Sequence, residues 1–349
     1  MTLREVPGVA GAPWERELRG RFDRLVIESE ILADNPLGDP VRRPLYVYVP
    51  PGVDESAELC SIYVIQGFTG QLDAWLNRTA FEPNMLERVD GLFAEDSAPP
   101  AVVVFVDAWT SYGGSQFINS AGTGDYMDYL CDEVVPFVDS RYPTAAESQH
   151  RGLTGKSSGG YGAMVVPMLR PDIFGGLASH AGDALFEACY LPEFPRVVRR
   201  LRDEFDASWD VFWERFRVAE RFDWDVFGGP FETYGYALAY SPDAGSPGKA
   251  LLPFDDTGTL DEAVWEQWLA WDPVRMAPRH LDALAGMKRI YLDAGTSDEY
   301  YLDLGARAFA RELDKAGIDH TLELFHGKHG GLQYRYPGAI GELARALAP

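Results

Sequence analysis

A chain of 349 residues with 46% hydrophobic and 24% charged side chains has the make-up of a folded globular protein and the length to bury a large core. Its 54 acidic against 31 basic side chains give a formal charge of −23, which repels phosphate backbones and anionic head groups and argues against nucleic acid or a membrane surface as partner. The opening "MTLREVPGVAGAPWERELRG" has no unbroken apolar run to serve as a signal peptide, and no later stretch approaches the ~18 apolar residues of a membrane span, so a cytoplasmic protein is expected.

Along the chain, short β-rich runs alternate with helical patterns. "RLVIESEIL" (24–32), "PLYVYVPPG" (44–52), "CSIYVIQGF" (60–68) and "AVVVFVDAW" (101–109) read as successive strands. The last two are nearly all apolar, as strands covered on both faces must be, so the sheet should be largely parallel. "DYMDYLCDEVVPFVDSRY" (125–142) reads as a helix, with Cys131 on an apolar face beside Met127, Leu130, Val134 and Val138. Cys60, Cys131 and Cys189 form no CxxC pair and suggest neither a disulfide framework nor a zinc site. "FGGLASHAGD" (174–183) reads as the next strand; "MKRIYLDAG" (287–295), the helix "YLDLGARAFARELDKAG" (301–317) and "HTLELFHGKHG" (320–330) resume the alternation, with Gly317 a plausible cap.

Between 184 and 284 helical patterns replace that alternation. This segment holds Trp209, Trp213, Trp224, Trp265, Trp268 and Trp271. It reads as a helical insertion dividing a core of 1–183 and 285–349. Two roles stay open for it: a cap that lines a pocket with some of these tryptophans, or a satellite unit whose tryptophans fill its own core.

"RGLTGKSSGGYGAMVV" (151–166) puts glycines and serines between two apolar stretches, where neither a buried strand nor a helix interior wants them. Gly155, Lys156, Ser157, Ser158 and Gly159 match G-x-S-x-G at a strand-to-helix handover, the context of a nucleophile elbow, which makes Ser157 the candidate nucleophile. A serine hydroxyl needs a histidine base and an acid to orient it, and in this fold class they follow the serine in the order acid, histidine. "TSDEYY" offers Asp298 just beyond a strand, with Glu299 as rival; "HGKHGG" offers His329, with His326 as rival. Asp298 and His329 are preferred for residue type and loop position, and Asp293 reads as a structural hydrogen-bonder. The backbone N–H groups of Phe68, in "IQGFTG" (65–70), and of Ser158 are the expected oxyanion donors.

"YVIQGFTG", "VVVFVDAW", "VVPFVDSRYP", "GLTGKSSGGYGAM", "LDAGTSDEY" and "HGKHGG" together resemble the esterase family of α/β-hydrolases that includes esterase D, feruloyl and acetyl-xylan esterases, siderophore esterases and mycolyltransferases. The resemblance covers about 24–183 and 285–345. It implies an α/β-hydrolase fold, with a mostly parallel sheet flanked by helices; 184–284, read above as an inserted helical cap, has no counterpart in the family. It also implies hydrolysis of small-molecule carboxylic esters without metal or organic cofactor, with Ser157, Asp298 and His329 as triad. Gln66 stands where many members have histidine, and "KHGGLQYRY" lacks the tryptophan that often follows the catalytic histidine, which leaves the substrate subgroup open. Trp75, Trp109, Tyr112, Gln116, Asn119, His180 and Asp183 follow strands and are candidate substrate contacts, with core packing or structural hydrogen bonds as the competing role. Acyl transfer to an alcohol or sugar would use the same triad, and a non-catalytic binding module is the third reading; the oligomeric state is left open.

Overall fold

The computed structural model describes residues 17–54, 56–246 and 248–349. Most of the N-terminal stretch read above for a signal peptide lies outside them. Eight strands form one sheet: β1 (Arg21–Glu28), β2 (Arg42–Val49), β3 (Cys60–Ile65), β4 (Ala101–Val106), β5 (Arg151–Lys156), β6 (Gly176–His180), β7 (Arg289–Gly295) and β8 (Thr321–Phe325). Their order is β1-β2-β4-β3-β5-β6-β7-β8. β2 pairs antiparallel with both β1 and β4, and every later pair is parallel.

β3 and β4 are buried along their whole length, which explains their unbroken apolar sequence: helices cover both faces. Helix Met85–Ala94 joins them and starts on a capping box, the Asn84 side chain accepting from the Glu87 N–H while the Glu87 carboxylate accepts from the Asn84 N–H. The helical run after β4 contains a π turn at Tyr129–Val134. Pro136 lies just beyond it and has no N–H to continue the regular ladder, which gives the widened turn a local cause. Cys131 sits in that turn, buried and unpaired.

The strands read from sequence overshoot their carboxyl ends. Gln66 to Phe68, Asp107 to Trp109 and Ala181 to Asp183 leave the ladders and form loops at one edge of the sheet. That edge is where ligands gather in open α/β sheets, because the parallel strands all end there.

The segment between β6 and β7 is helical, including Phe194–Glu204, Trp209–Val218, Gly229–Tyr240 and Glu262–Leu269. Its apolar residues belong to one cluster with Leu177 of β6, Ile290 of β7 and the helix Leu302–Ala316. The tryptophans divide. Trp209 and Trp213 pack with Phe212 and Tyr234 inside the segment, and Trp265 packs on Phe194. Trp271 is partly buried against the same cluster, and Trp268 is fully buried with its Nε1–H donated to Ser241 Oγ at 2.8 Å.

Candidate active site

β5 delivers the chain into a sharp turn at Ser157, whose φ of 59° and ψ of −127° no ordinary L residue adopts without strain. The helix Ser158–Leu169 starts at once. Glycine on either side is a steric demand: a Cβ on Gly159 would lie 2.6 Å from the Ile65 carbonyl oxygen, and one on Gly155 would lie 2.5 Å from the Gly159 carbonyl. The Ser157 N–H donates to the carbonyls of His180 (3.0 Å) and Ala181 (3.1 Å), which ties the turn to the end of β6.

Three segments meet at the Ser157 hydroxyl. His329, on the loop after β8, places Nε2 3.1 Å from Ser157 Oγ and Nδ1 2.8 Å from Asp298 Oδ2. Asp298, on the loop after β7, is buried, and its Oδ1 accepts the Tyr300 N–H at 2.8 Å. Glu299 faces elsewhere. Its carboxylate accepts the backbone N–H of His329 at 3.0 Å and pairs with Lys328 at 3.1 Å, and these contacts hold it down at about 2. His326 is exposed. Asp293 is fully buried between His180 Nδ1 (2.8 Å) and Arg335 Nε (2.9 Å), a structural relay beneath the site.

The loop after β3 brings Phe68 beside this turn. Its ring packs on Tyr236 (4.8 Å between centroids) and Phe231 (5.7 Å), so the inserted helix Gly229–Tyr240 braces the loop. Among the described residues the Phe68 N–H has no hydrogen-bond acceptor. Ser158, as first residue of its helix, has no intrahelical acceptor for its own N–H.

The chain matches the Esterase family, described as "Putative esterase", over residues 40–336. The chain belongs to the Esterase family. Over 105 residues it is 27% identical to an endo-1,4-beta-xylanase/feruloyl esterase of Xylanibacter ruminicola, a match covering 30% of this chain and 14% of that protein's length. Among solved structures it is similar to a ferulic acid esterase (TM-score 0.58, 14% identity, 94% of this chain and 98% of that one). It is also similar to FphF, a fluorophosphonate-binding serine hydrolase of Staphylococcus aureus (TM-score 0.57, 16% identity, 93% and 98%). At these identities the likeness establishes the α/β-hydrolase fold.

In this esterase-family chain a cavity of about 630 Å³ opens beside Ser157 and His329. Its walls come from the Phe68 loop, the Tyr300 loop and the inserted segment, which supplies Tyr190, Glu193, Glu232, Tyr236, Trp224 and Trp268 among others. Of the seven substrate contacts considered from sequence, Asp183 alone lines this cavity. Trp75 packs on Phe105 and Tyr336 beside a smaller cleft on the other side of the Phe68 loop. Tyr112 packs between Trp213 and Tyr234, and the Trp109 carbonyl accepts from Arg43. The Asn119 side chain accepts the N–H groups of Met127 and Asp128, and His180 is buried on Tyr336. Gln116 lies behind the wall, donating to Tyr240 at 2.9 Å and to Asp183 at 3.4 Å.

Glu232 and Tyr300 were not foreseen. Tyr300 stands two residues from Asp298, and its ring meets the His329 ring at 4.8 Å. Glu232 had a signal available: it is the lone charge in the otherwise apolar and aromatic helix "GPFETYGYALAY".

Proposed function

We propose that this chain is a carboxylic ester hydrolase working through an acyl-enzyme, with Ser157 as nucleophile, His329 as base and Asp298 as the acid that orients it. The observation that carries this is the contact series Ser157 Oγ, 3.1 Å, His329 Nε2, and His329 Nδ1, 2.8 Å, Asp298 Oδ2. The Asp298 carboxylate accepts the hydrogen bond of Nδ1–H, which leaves the Nε2 lone pair facing the serine hydroxyl. Ser157 Oγ then attacks the ester carbonyl as its proton passes to Nε2. The tetrahedral oxyanion is received by the N–H groups of Phe68 and Ser158, and collapse breaks the bond to the alcohol, which leaves with the proton from the imidazolium. Water repeats the sequence on the acyl-enzyme and restores Ser157.

Residues 184–284 act in this reading as the cap over the site, excluding bulk water and bracing the oxyanion loop through the Phe68–Tyr236 contact. Residues 1–183 and 285–349 form the catalytic core. Three buried, unpaired cysteines fit a reducing compartment, which a cell-fractionation experiment would check, and no helix among the described residues is long and apolar enough to cross a membrane.

The direct test is hydrolysis of p-nitrophenyl acetate together with labelling by a fluorophosphonate probe. The parent protein should do both, and Ser157→Ala should do neither while keeping its circular dichroism spectrum. Parent-like turnover by folded Ser157→Ala protein would refute the assignment.

A further inference from the structure

The cavity holds carboxylates that the proposed reaction does not use. Glu193 is paired with Arg196 (3.1 Å) and Glu299 with Lys328 (3.1 Å). Asp183 and Glu232 make no ion pair among the described residues, although Lys156 is near enough for its charge to act on Asp183. Asp183 is 3% exposed, and its three donors, Tyr190 (2.9 Å), Ser158 (3.3 Å) and Gln116 (3.4 Å), all reach Oδ2. Oδ1 receives none, and the side chain lines the cavity. Glu232 is half-buried in the facing helix, with no hydrogen bond to either oxygen from the described residues. Lys156 also lines the cavity, but beside Ser157, where Asp298, Asp183 and Glu299 surround it; it makes no ion pair with Glu232.

Around these two carboxylates the walls are aromatic. Tyr190, Trp224, Tyr236 and Tyr300 line the same space, and Trp268 borders it from a fully buried position. Aromatic faces attract organic cations, and carboxylates in a sheltered cavity need positive charge more than they need neutral donors. The net charge of −23 adds a long-range pull on cations.

Resting on the esterase reading, we propose that the cavity is a cation site, and that the ester cleaved at Ser157 carries an organic ammonium group held between Asp183, Glu232 and the aromatic walls. The group is a substituted ammonium. A cation of that kind meets both carboxylates and rings at once, whereas an inorganic ion would need oxygen ligands that the aromatic walls do not supply.

The test separates binding from turnover. Calorimetric titration of the full chain compares choline with its uncharged isostere 3,3-dimethylbutan-1-ol at constant ionic strength. Choline should bind saturably and at least tenfold more tightly than the isostere, and Glu232→Gln should weaken choline at least fivefold. If Glu232→Gln does not fold, Trp224→Ala, at a half-exposed rim position, takes its place and should weaken choline at least threefold. Equal affinity for the two probes, no saturable choline binding, or choline affinity unchanged in the folded variant each overturns the proposal.

Turnover is then read on matched esters, choline butyrate against 3,3-dimethylbutyl butyrate on the alcohol side, and p-nitrophenyl 4-(trimethylammonio)butanoate against p-nitrophenyl 5,5-dimethylhexanoate on the acyl side. In at least one pair kcat/KM should favour the cation by tenfold or more, and Glu232→Gln should shrink that ratio. Hydrolysis of all four without a cation preference overturns the proposal and leaves the esterase reading standing. Tight choline binding with no hydrolysis of any ester supports the cation site and counts against the esterase reading.

Discussion

Replacing Glu232 with glutamine should stabilise the folded protein, and more so as pH rises. Burial first, and then repulsion from Asp183 and Glu193, raises the Glu232 carboxyl from 4.5 to about 8. A carboxyl raised on folding binds more protons in the folded than in the unfolded state between those two values. Stability is therefore greatest below the unfolded value and falls as pH climbs from about 4.5 to about 8, beyond which the loss is complete. At ~1.4 kcal/mol per pKa unit the ceiling on that loss is about 5 kcal/mol. Glu232 is only half-buried and faces a cavity that water can enter, so screening reduces the expected figure to about 1–2 kcal/mol. Glutamine keeps the shape and carries no charge, so its advantage over the parent should be close to zero at pH 4.5 and reach that figure at pH 9. For a chain of 349 residues the difference corresponds to roughly 1–3 °C in Tm. Differential scanning fluorimetry of both proteins across that range reads it directly, because the other titrating groups cancel in the difference. A Tm advantage that is constant with pH, or that shrinks as pH rises, would refute the claim that an ionised Glu232 is costly in the unliganded cavity.

Three further expectations concern the site. Ser157→Ala and His329→Ala should each lower kcat by about 10⁴-fold or more, and the double variant should lose little beyond either; multiplicative losses in a p-nitrophenyl acetate assay would mean the two do not act together. Glu299→Ala frees the His329 backbone N–H and the Lys328 side chain without touching the hydroxyl-to-carboxylate series, so steady-state kinetics should show kcat lowered about 3–10-fold with KM nearly unchanged, and a parent-like kcat would remove Glu299 from any positioning role. Gly159→Ala forces a Cβ to within 2.6 Å of the Ile65 carbonyl oxygen, a backbone atom that cannot swing away, and denaturant unfolding should register a loss of about 1–3 kcal/mol; an unchanged midpoint would show that the elbow has room.

Much of the fold was legible because most of the sheet is parallel. Strands such as β3 and β4, covered on both faces, must be apolar throughout, and their runs stand out from the amphipathic helices between them. The ends of strands were less legible, since Gln66, Asp107 and Ala181 continue the local texture while the backbone has already left the ladder. Ser157, Asp298 and His329 could be found because each follows a strand at the same sheet edge, so their meeting is a property of the topology. The cavity wall could not be found this way. Tyr190 comes from the turn after the helix Phe186–Cys189 and Glu232 and Trp268 from two later helices of the insertion, and which side chains look toward Ser157 depends on how those elements pack. Trp268 illustrates the difficulty, being both core of the insertion and wall of the cavity.

The insertion shares one apolar cluster with the core beneath it. Its apolar cluster includes side chains of β6, β7 and the helix Leu302–Ala316, and its helix Gly229–Tyr240 touches the loop after β3 through Phe68. An insertion packed so broadly on the core shapes the cavity in the absence of any substrate. Around that preformed space the chain departs from what packing alone would choose: a serine at positive φ, a buried carboxylate with one oxygen unmatched, and a second carboxylate pushed up to about 8. Each departure costs stability locally, and the three border a single cavity. Packing gives no reason for an acid at 183, where an amide would accept from the same neutral donors, or at 232, which no donor among the described residues reaches. Lys156 acts on Asp183 but makes no ion pair with Glu232, so an entering cation would favour the ionised form of Glu232 that burial disfavours. Recognition of a charged substrate therefore accounts for the placement of Asp183 and Glu232 next to Ser157, where filling a core does not.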